Sequence, residues 1–398
     1  MNSKQTLALT GAGMTQASVR SSNLALVLRT IIDSGAPLSR ADIAARLGMT
    51  RSTVSRLVDD LVAGQVVAEG ETVSGARGRP AVPLSIRGGS VVGLGLEANV
   101  DRLVATLVDL AGNVLTTEAE QLELPELDFD DAMSRLSSLA TAALKKAPDG
   151  ARLVGSVLAI PGLVDRDGQT ILRSPNLGWD GRSPGEAWPA EGLGTLRVAN
   201  DIDCSALTVL RENPNTSFVY VTGEVGIGAA VSLDGELMLG RHGWASELGH
   251  ICVDPQGDVC GCGATGCLET VAGLRHTLER AGQPDVESMV EALEAGDERA
   301  QTTVDELAAA LGIALGAALN LLDISTVQLG GHLATLHPWL GDKVAKELQV
   351  RVLWAHHSGI DVVPVAEAPL RAAQGAAIAA TASVVRDPAS WIDPHLER

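Results

Sequence analysis

ELGHICVDPQGDVCGCGATGCLE, residues 247–269, gathers four of the five cysteines of the chain beside one histidine. Cys260 and Cys262 form a Cys-x-Cys pair, and Cys267 follows five residues after the second. His250 lies ten residues upstream of the pair, close enough to complete a tetrahedron through a short loop. One imidazole and three thiolates make a closed ligand set for structural Zn²⁺, with no position left for a reactive water. Cys252 is left over and is expected to turn into the core. Gly257, Gly261, Gly263 and Gly266 suit such a knuckle, where positive φ and close backbone approach are needed. Disulfide pairing and idle buried thiols remain the alternatives for the same cysteines.

The pattern GHIC…CxCGxxGCLE also resembles the zinc signature of the ROK family, whose members include repressors and sugar kinases built on a two-lobed, actin-like ATPase fold. The resemblance implies that His250 and the carboxylates flanking the turn, Glu247 and Glu269, hold sugar hydroxyls. It also implies an α/β fold with a structural zinc site, and leaves open which branch of the family this is.

Length and charge narrow the choice. A chain of 398 residues can bury two or three cores. The net charge of −19 argues against a general nucleic-acid binder, yet residues 1–90 carry ten basic against six acidic side chains. A mildly basic module is therefore joined to a strongly acidic body, which suits phosphate contact at the N-terminal end alone. Residues 1–20 lack the apolar run of a signal peptide. The apolar stretch 307–322 contains Gly312, Gly316 and Asn320 and reads as a buried helix, shorter than the roughly 20 residues a bilayer requires. Few cysteines, mostly gathered as metal ligands, fit a reducing cytoplasm, and no membrane association is expected.

The first ninety residues read as a DNA-binding unit. Leu24, Leu26, Val27, Leu28, Ile31 and Ile32 mark an amphipathic helix ended by Gly35. Ser39 caps a short helix through Leu47, Gly48 makes the turn, and Thr50 caps a third helix ended by Gly64. That is a helix-turn-helix. It leaves Arg51, Ser52, Thr53, Ser55 and Arg56 on the outer face of the third helix, where base edges and phosphates are met. Residues 66–69 and Thr72-Val73 are expected to form a β-wing, and Arg77 and Arg79 resemble an arm for a minor groove. This segment also resembles the winged-helix domain of ROK repressors, a module that ROK kinases lack.

The body is read against the kinase pattern. Strands are expected at 91–96, 103–108 and 114–120, a helix at 131–146, and a strand at 153–160. Where ROK kinases carry Asp-x-Gly-x-Thr at the phosphate loop, this chain has Gly95-Leu96-Glu97-Ala98-Asn99, and Glu97 would repel a phosphate. Where they carry a glycine-rich turn, it has Glu224-Val225-Gly226-Ile227-Gly228. Two glycines survive, but turn geometry explains them as well as phosphate binding does. The resemblance places Asn176, Asn200 and Asp201 in the sugar site, with Asp201 at the position of the kinase base. Trp179 fits a sugar platform or the core equally. Gly330-Gly331 resembles the adenosine-side element of the kinases.

The expected organisation is a winged helix with its arm over 20–88, a first lobe over 89–200 and a second lobe over 201–398, its C-terminal helix returning to the first lobe. The expected function is a sugar-responsive transcriptional regulator, a repressor of carbohydrate-utilisation genes, with no catalytic residue and no bound ATP. Its partners are double-stranded operator DNA, a sugar effector and further copies of itself, as a dimer or tetramer. The alternatives are a ROK sugar kinase with an appended DNA-binding module, and a constitutive scaffold whose sugar site has decayed.

Overall fold

The computed structural model describes residues 16–71, 82–224, 226–366, 368 and 370–392. Its N-terminal unit is three helices, α1 (Gln16–Ile32), α2 (Arg40–Leu47) and α3 (Arg51–Ala63), followed by strands β1 (Val67–Glu69) and β2 (Leu84–Ile86). The local chemistry explains the boundaries. Ser39 caps α2 in a reciprocal capping box with Asp42, Gly48 closes it at φ 64°, and the Thr50 hydroxyl accepts from Thr53 N–H at the start of α3. Arg40 ties the three parts together, bonding Asp59 of α3 at 2.6 Å and Glu69 of the wing.

The wing differs from expectation in its second strand. β1 pairs antiparallel with β2, Val67 opposite Ile86 and Glu69 opposite Leu84, so its partner comes from beyond the arginine-rich segment. Leu84, wholly buried, supplies the apolar anchor of this strand. Thr72, Val73, Arg77 and Arg79 lie outside the described residues.

Two five-stranded sheets form the body. The first comprises β3 (Val91–Asn99), β4 (Arg102–Asp109), β5 (Val114–Gln121), β6 (Arg152–Ile160) and β9 (Leu196–Asn200), in the order β5-β4-β3-β6-β9. Helix α4 (Phe129–Leu144) packs on β4 and β5, and β7 (Leu163–Val164), β8 (Ile171–Arg173) and the short α5 (Ala190–Leu193) fill the connection before β9. After α6 (Asp201–Glu212) the second sheet follows: β10 (Phe218–Gly223), β11 (Ile227–Leu233), β12 (Glu236–Leu237), β13 (Thr326–Gly331) and β14 (Asp361–Pro364), in the order β12-β11-β10-β13-β14. Each sheet is an antiparallel meander whose first strand is extended by two parallel strands. The same topology thus occurs twice, although no repeat is visible in the sequence. This is the duplicated, actin-like arrangement.

The second lobe inserts α7 (Glu269–Ala272), α8 (Leu274–Ala281), α9 (Val286–Glu294) and α10 (Glu298–Leu322) between β12 and β13. It continues with α11 (His332–Thr335), α12 (His337–Arg351) and α13 (Ala355–Ser358). The apolar stretch 307–322 belongs to the 25-residue α10, which is long and apolar enough to cross a membrane. Twelve of its residues are buried instead, and it packs on α12, where Gly312 and Gly316 admit the stems of Glu347 and Arg351.

The chain closes with α14 (Arg371–Arg386) and α15 (Pro388–Ile392). α14 lies on β3, β4 and β6 of the first sheet and on α6. The approach requires small residues: a Cβ on Gly93 or Gly95 would collide with the Ala377 or Ala373 carbonyl, and one on Gly375 with the Cys204 carbonyl. Cys204 is buried there. α15 then reaches the winged helix. Val91, Leu110, Val384 and Ala389 of the body share one apolar cluster with Leu24, Leu28, Val58 and Leu61, and the Ile392 side chain occupies the space beside Gly64. Arg152 donates to the Gly64 carbonyl at 2.8 Å while stacking on Trp391, and Ser21 donates to Asp387 at 2.6 Å. The DNA-binding unit is therefore continuous with the core of the first lobe.

Candidate functional site

On α3, Arg51, Ser52 and Arg56 are exposed and Thr53 and Ser55 half-buried, while Val54, Leu57, Val58 and Leu61 point inward. Among the described residues neither Arg51 nor Arg56 has an ion-pair partner. The outer face of the helix is thus free for a phosphate or a base edge.

The metal turn assembles as its spacing suggests. His250, Cys260, Cys262 and Cys267 bring four donor atoms within 4.8 Å of one another. Cys260 Sγ lies 3.7 Å from His250 Nδ1, and Cys262 Sγ lies 3.7 Å from Cys267 Sγ. Bonds of about 2.3 Å around a tetrahedral ion would give edges near 3.8 Å, so the donor set fits a small tetrahedral cation. Without a cation the thiols oppose one another: burial, then Cys262 and Cys260, push the Cys267 thiol up to about 12. Gly263 (φ 96°) and Gly266 (φ 73°) take the left-handed conformation, and a Cβ on Gly266 would strike the Asp254 carbonyl. Gly257 and Gly261 do not share that conformation. Cys252 is exposed rather than buried, although its backbone pairs with that of the buried Cys267.

The turn carries carboxylates toward the interlobe space. Glu269 begins α7 two residues after the last cysteine of the turn, with Oε1 3.7 Å from Cys260 Sγ and Oε2 accepting from Ile227 N–H at 3.2 Å. Gly226 leaves the space that Glu269 Oε2 occupies, and Gly228 leaves the space that the Ile202 side chain fills. The two glycines thus admit Glu269 and Ile202. Glu247 is exposed and precedes the turn that holds His250. His250 is exposed, with its Nδ1 turned toward Cys260.

Asn200 and Asp201 stand where β9 meets α6. Asn200 is the N-cap: its Oδ1 accepts from Ile202 N–H at 2.8 Å and Asp203 N–H at 3.1 Å, and its Nδ2 donates to the Gly162 carbonyl at 3.1 Å. Most of its amide is committed to the fold. Asp201 accepts from Ile202 N–H at 3.0 Å. Burial, with Glu224 and Glu97 nearby, pushes its carboxyl up to about 7. Asp203 also rises to about 7, through burial and the adjacent Glu247. Asn176 is exposed and, with Glu269, lines an interlobe cleft of about 1240 Å³. Trp179 is core, 2% exposed and edge-on to Phe129 at 5.1 Å.

The corner that corresponds to the kinase phosphate loops holds an ion-pair network absent from the sequence reading. Glu97 is 1% exposed and is not a bare charge: Arg102, at the start of β4, reaches its Oε1 at 2.7 Å. The same guanidinium bonds Glu224 of the second lobe at 3.2 Å and Asp101 at 3.1 Å, and Asn99 donates to Glu224 at 3.3 Å. Burial raises the Glu97 carboxyl and Arg102 lowers it. One arginine therefore joins the two lobes through carboxylates where a nucleotide would place phosphates. Hydrogen-bonding carbonyls flank His332 nearby, Gly223 O at Nδ1 and Ala272 O at Nε2, both at 3.0 Å. A hairpin arginine among acids was the only sequence signal for this network.

Comparison with known proteins agrees with both parts of the fold. Residues 93–383 match the ROK family and residues 25–78 the MarR family. The xylose repressor of Caldicellulosiruptor bescii is 27% identical over 333 residues, covering 77% of this chain and 82% of its own. A solved ROK family transcriptional regulator, described as a homolog of the Escherichia coli Mlc protein, superposes with a TM-score of 0.77 at 26% identity, covering 92% and 97% of the two chains. The ROK hexokinase of Thermus thermophilus, also 26% identical, gives 0.62 and covers 74% of this chain and 99% of its own. The kinase thus matches only the two-lobed body, whereas the regulator's match extends to the N-terminal unit. The chain belongs to the ROK family.

Proposed function

We propose that this protein is a sugar-responsive transcriptional repressor that binds operator DNA through α3 and its wing, and a sugar between the lobes. The observation that carries the reading is the shared core: the winged helix, α14 and the first lobe form one apolar cluster. The repressors among its relatives support it. Asp201, Glu247, His250 and Glu269 offer the acceptors and donors that neutral hydroxyls use, with Asn176 at the cleft wall and Asn200 holding the start of α6. Zinc at His250, Cys260, Cys262 and Cys267 fixes the turn that presents Glu247 and Glu269. When bound, it supplies rigidity and no reactive water. Arg77 and Arg79 would extend the DNA contact along the minor groove.

The protein acts in the cytoplasm as a homodimer or higher oligomer, since one recognition helix supplies too few base contacts for a specific site. Sugar alters operator affinity only by binding one arrangement of lobes and winged helix better than another. Coupling of about 1–3 kcal/mol, roughly 5–150-fold, is typical. A phosphoryl-transfer reading finds Asp201 in the position of a base. It meets Glu224 and the Arg102 network where γ-phosphate and Mg²⁺ would need donors and metal support, so no kinase activity is assigned.

The test is fluorescence anisotropy on DNA from the gene's own upstream region, at one fixed salt concentration, with and without each member of a sugar panel. Specific binding that one sugar shifts about fivefold or more is the expected result. Specific binding that no sugar moves, or sugar-dependent ADP release from ATP, would overturn the reading.

A further inference from the structure

Trp244 is 43% exposed, so burial in a core does not hold it where it stands. It ends the loop after β12, which Ala245 closes by donating its backbone N–H to the Leu239 carbonyl at 3.2 Å. The indole Nε1–H donates to the Val164 carbonyl at 2.9 Å, and His242 stacks on the ring with centroids 4.9 Å apart. Val164 lies on β7 of the first lobe, whereas the loop belongs to the second. The bond therefore spans the lobes, and its length ties it to a lobe separation close to the present one.

The residues that follow Trp244 carry strain. Ser246 adopts φ 73°, a left-handed conformation that is costly for a residue with a Cβ. Its hydroxyl is buried without a hydrogen-bond partner among the described residues, which adds a second cost. Leu248 N–H donates to the Ser246 carbonyl at 2.7 Å, and Glu247, at φ −71° and ψ 56°, sits at the centre of an inverse γ-turn. His250 N–H donates to the Glu247 carbonyl at 3.1 Å, so the other end of this arm is fixed to the candidate metal turn. Held in this way, Glu247 stands near Asp203 in the first turn of α6 and helps to push that carboxyl up. Two carboxylates that repel are thus kept together by an arm with a strained backbone. Such strain persists only where surrounding contacts impose it, and the Trp244–Val164 bond imposes it from the first lobe.

We propose that residues 244–247 form a clip between the lobes, in which Trp244 is a positioning residue that sets Glu247 against the first lobe for effector binding. This deepens the sugar-effector reading and rests on it. With the clip closed, Glu247 meets a ligand from a fixed backbone. With it released, Ser246 relaxes and Glu247 loses its place. A sugar that uses Glu247 therefore prefers the clipped arrangement of the lobes, which is the differential affinity a switch requires.

Two measurements on the full-length, zinc-loaded protein test this: hydrogen–deuterium exchange without ligand, and calorimetric titration with D-glucose, D-mannose, D-galactose and D-xylose. Trp244→Phe keeps a ring and removes the donor. It should speed exchange over residues 244–251, leave residues 260–267 and zinc per chain unchanged, and weaken the sugar that binds by about fivefold, the worth of one hydrogen bond. Ser246→Gly relieves the backbone and deletes the unpaired hydroxyl. It should leave the melting temperature unchanged or higher and yet weaken sugar binding by about threefold, because the arm gains freedom. A residue with a merely structural role would not lose binding while stability holds or rises.

The inference is overturned if both variants bind sugar as tightly as the parent, if Trp244→Phe leaves exchange over residues 244–251 unchanged, or if zinc is lost together with affinity. Any of these, with sugar still bound by the parent, removes this inference alone. Failure of every sugar to bind the parent removes the sugar-effector reading and the positioning role with it.

Discussion

At the metal turn, Glu269 is steadied by one backbone N–H and by the glycine that makes room for it, and it faces the cleft. At the tip of β3, Glu97 is buried and its charge is taken up by Arg102, which also reaches across to Glu224. Both are carboxylates at the margin of one cleft, in a fold that elsewhere serves phosphoryl transfer. The first is kept available to a solute, and the second is consumed in holding protein to protein. The comparison teaches that two carboxylates near one cleft can be put to different uses, one facing the space between the lobes and the other tying the lobes together through an arginine.

The sharpest way to break the contrast is at the metal. Cys267→Ala should reduce metal affinity by about 100-fold or more, read as zinc per chain by mass spectrometry. Sugar binding should fall with it, whereas operator binding by the winged helix should survive. Next comes the joint. Arg102→Ala leaves Glu97 buried without its cation and should cost about 3–5 kcal/mol in urea unfolding. Glu97→Gln combined with Arg102→Gln should recover most of that loss, because no net charge stays buried. If Arg102→Ala left stability unchanged, the cross-lobe network would have no structural role.

Glu269→Gln tests the open end of the cleft. It keeps the size of the side chain and removes its charge, and should weaken sugar binding by about tenfold, the worth of one charged hydrogen bond of about 1.5–3 kcal/mol. Stability should barely change. The smallest effect is electrostatic and pH-dependent. The Asp201 carboxyl sits at about 7 when folded, above its ordinary range when unfolded. Its favourable contribution is present below about pH 4 and is lost as pH rises through 7. Asp201→Asn should therefore raise the melting temperature at pH 8 by about 2 °C or more relative to the parent, with little difference at pH 4. An equal gain at both pH values would show that burial does not hold this carboxyl protonated.

How much was legible follows from distance along the chain. The candidate metal turn could be read because its four donor residues fall within eighteen residues of one another. The helix-turn-helix could be read because Ser39, Gly48, Thr50 and Gly64 act on backbone groups within one turn of themselves. Gly226 and Gly228 resembled a phosphate turn, and their meaning lies in Glu269 and Ile202, which only folding brings against them. Arg102 gave no signal beyond its place among hairpin acids, because one of its partners is 122 residues away. The pairing of β1 with β2 (Leu84–Ile86) was likewise not read from the sequence, because the partner strand follows the arginine-rich segment.

The amino-acid order alone therefore determined the elements, their caps, the ligand set of the metal turn and the face of α3 turned outward, since each depends on side chains acting over a few residues. Tertiary structure decided the rest. It placed α14 on the first sheet and α15 against the winged helix, joined Glu97 to Glu224 through one guanidinium, and left a large cleft between the lobes. These contacts are set by which surfaces can be buried together once the chain has closed loops of a hundred residues or more, and no local pattern encodes that choice.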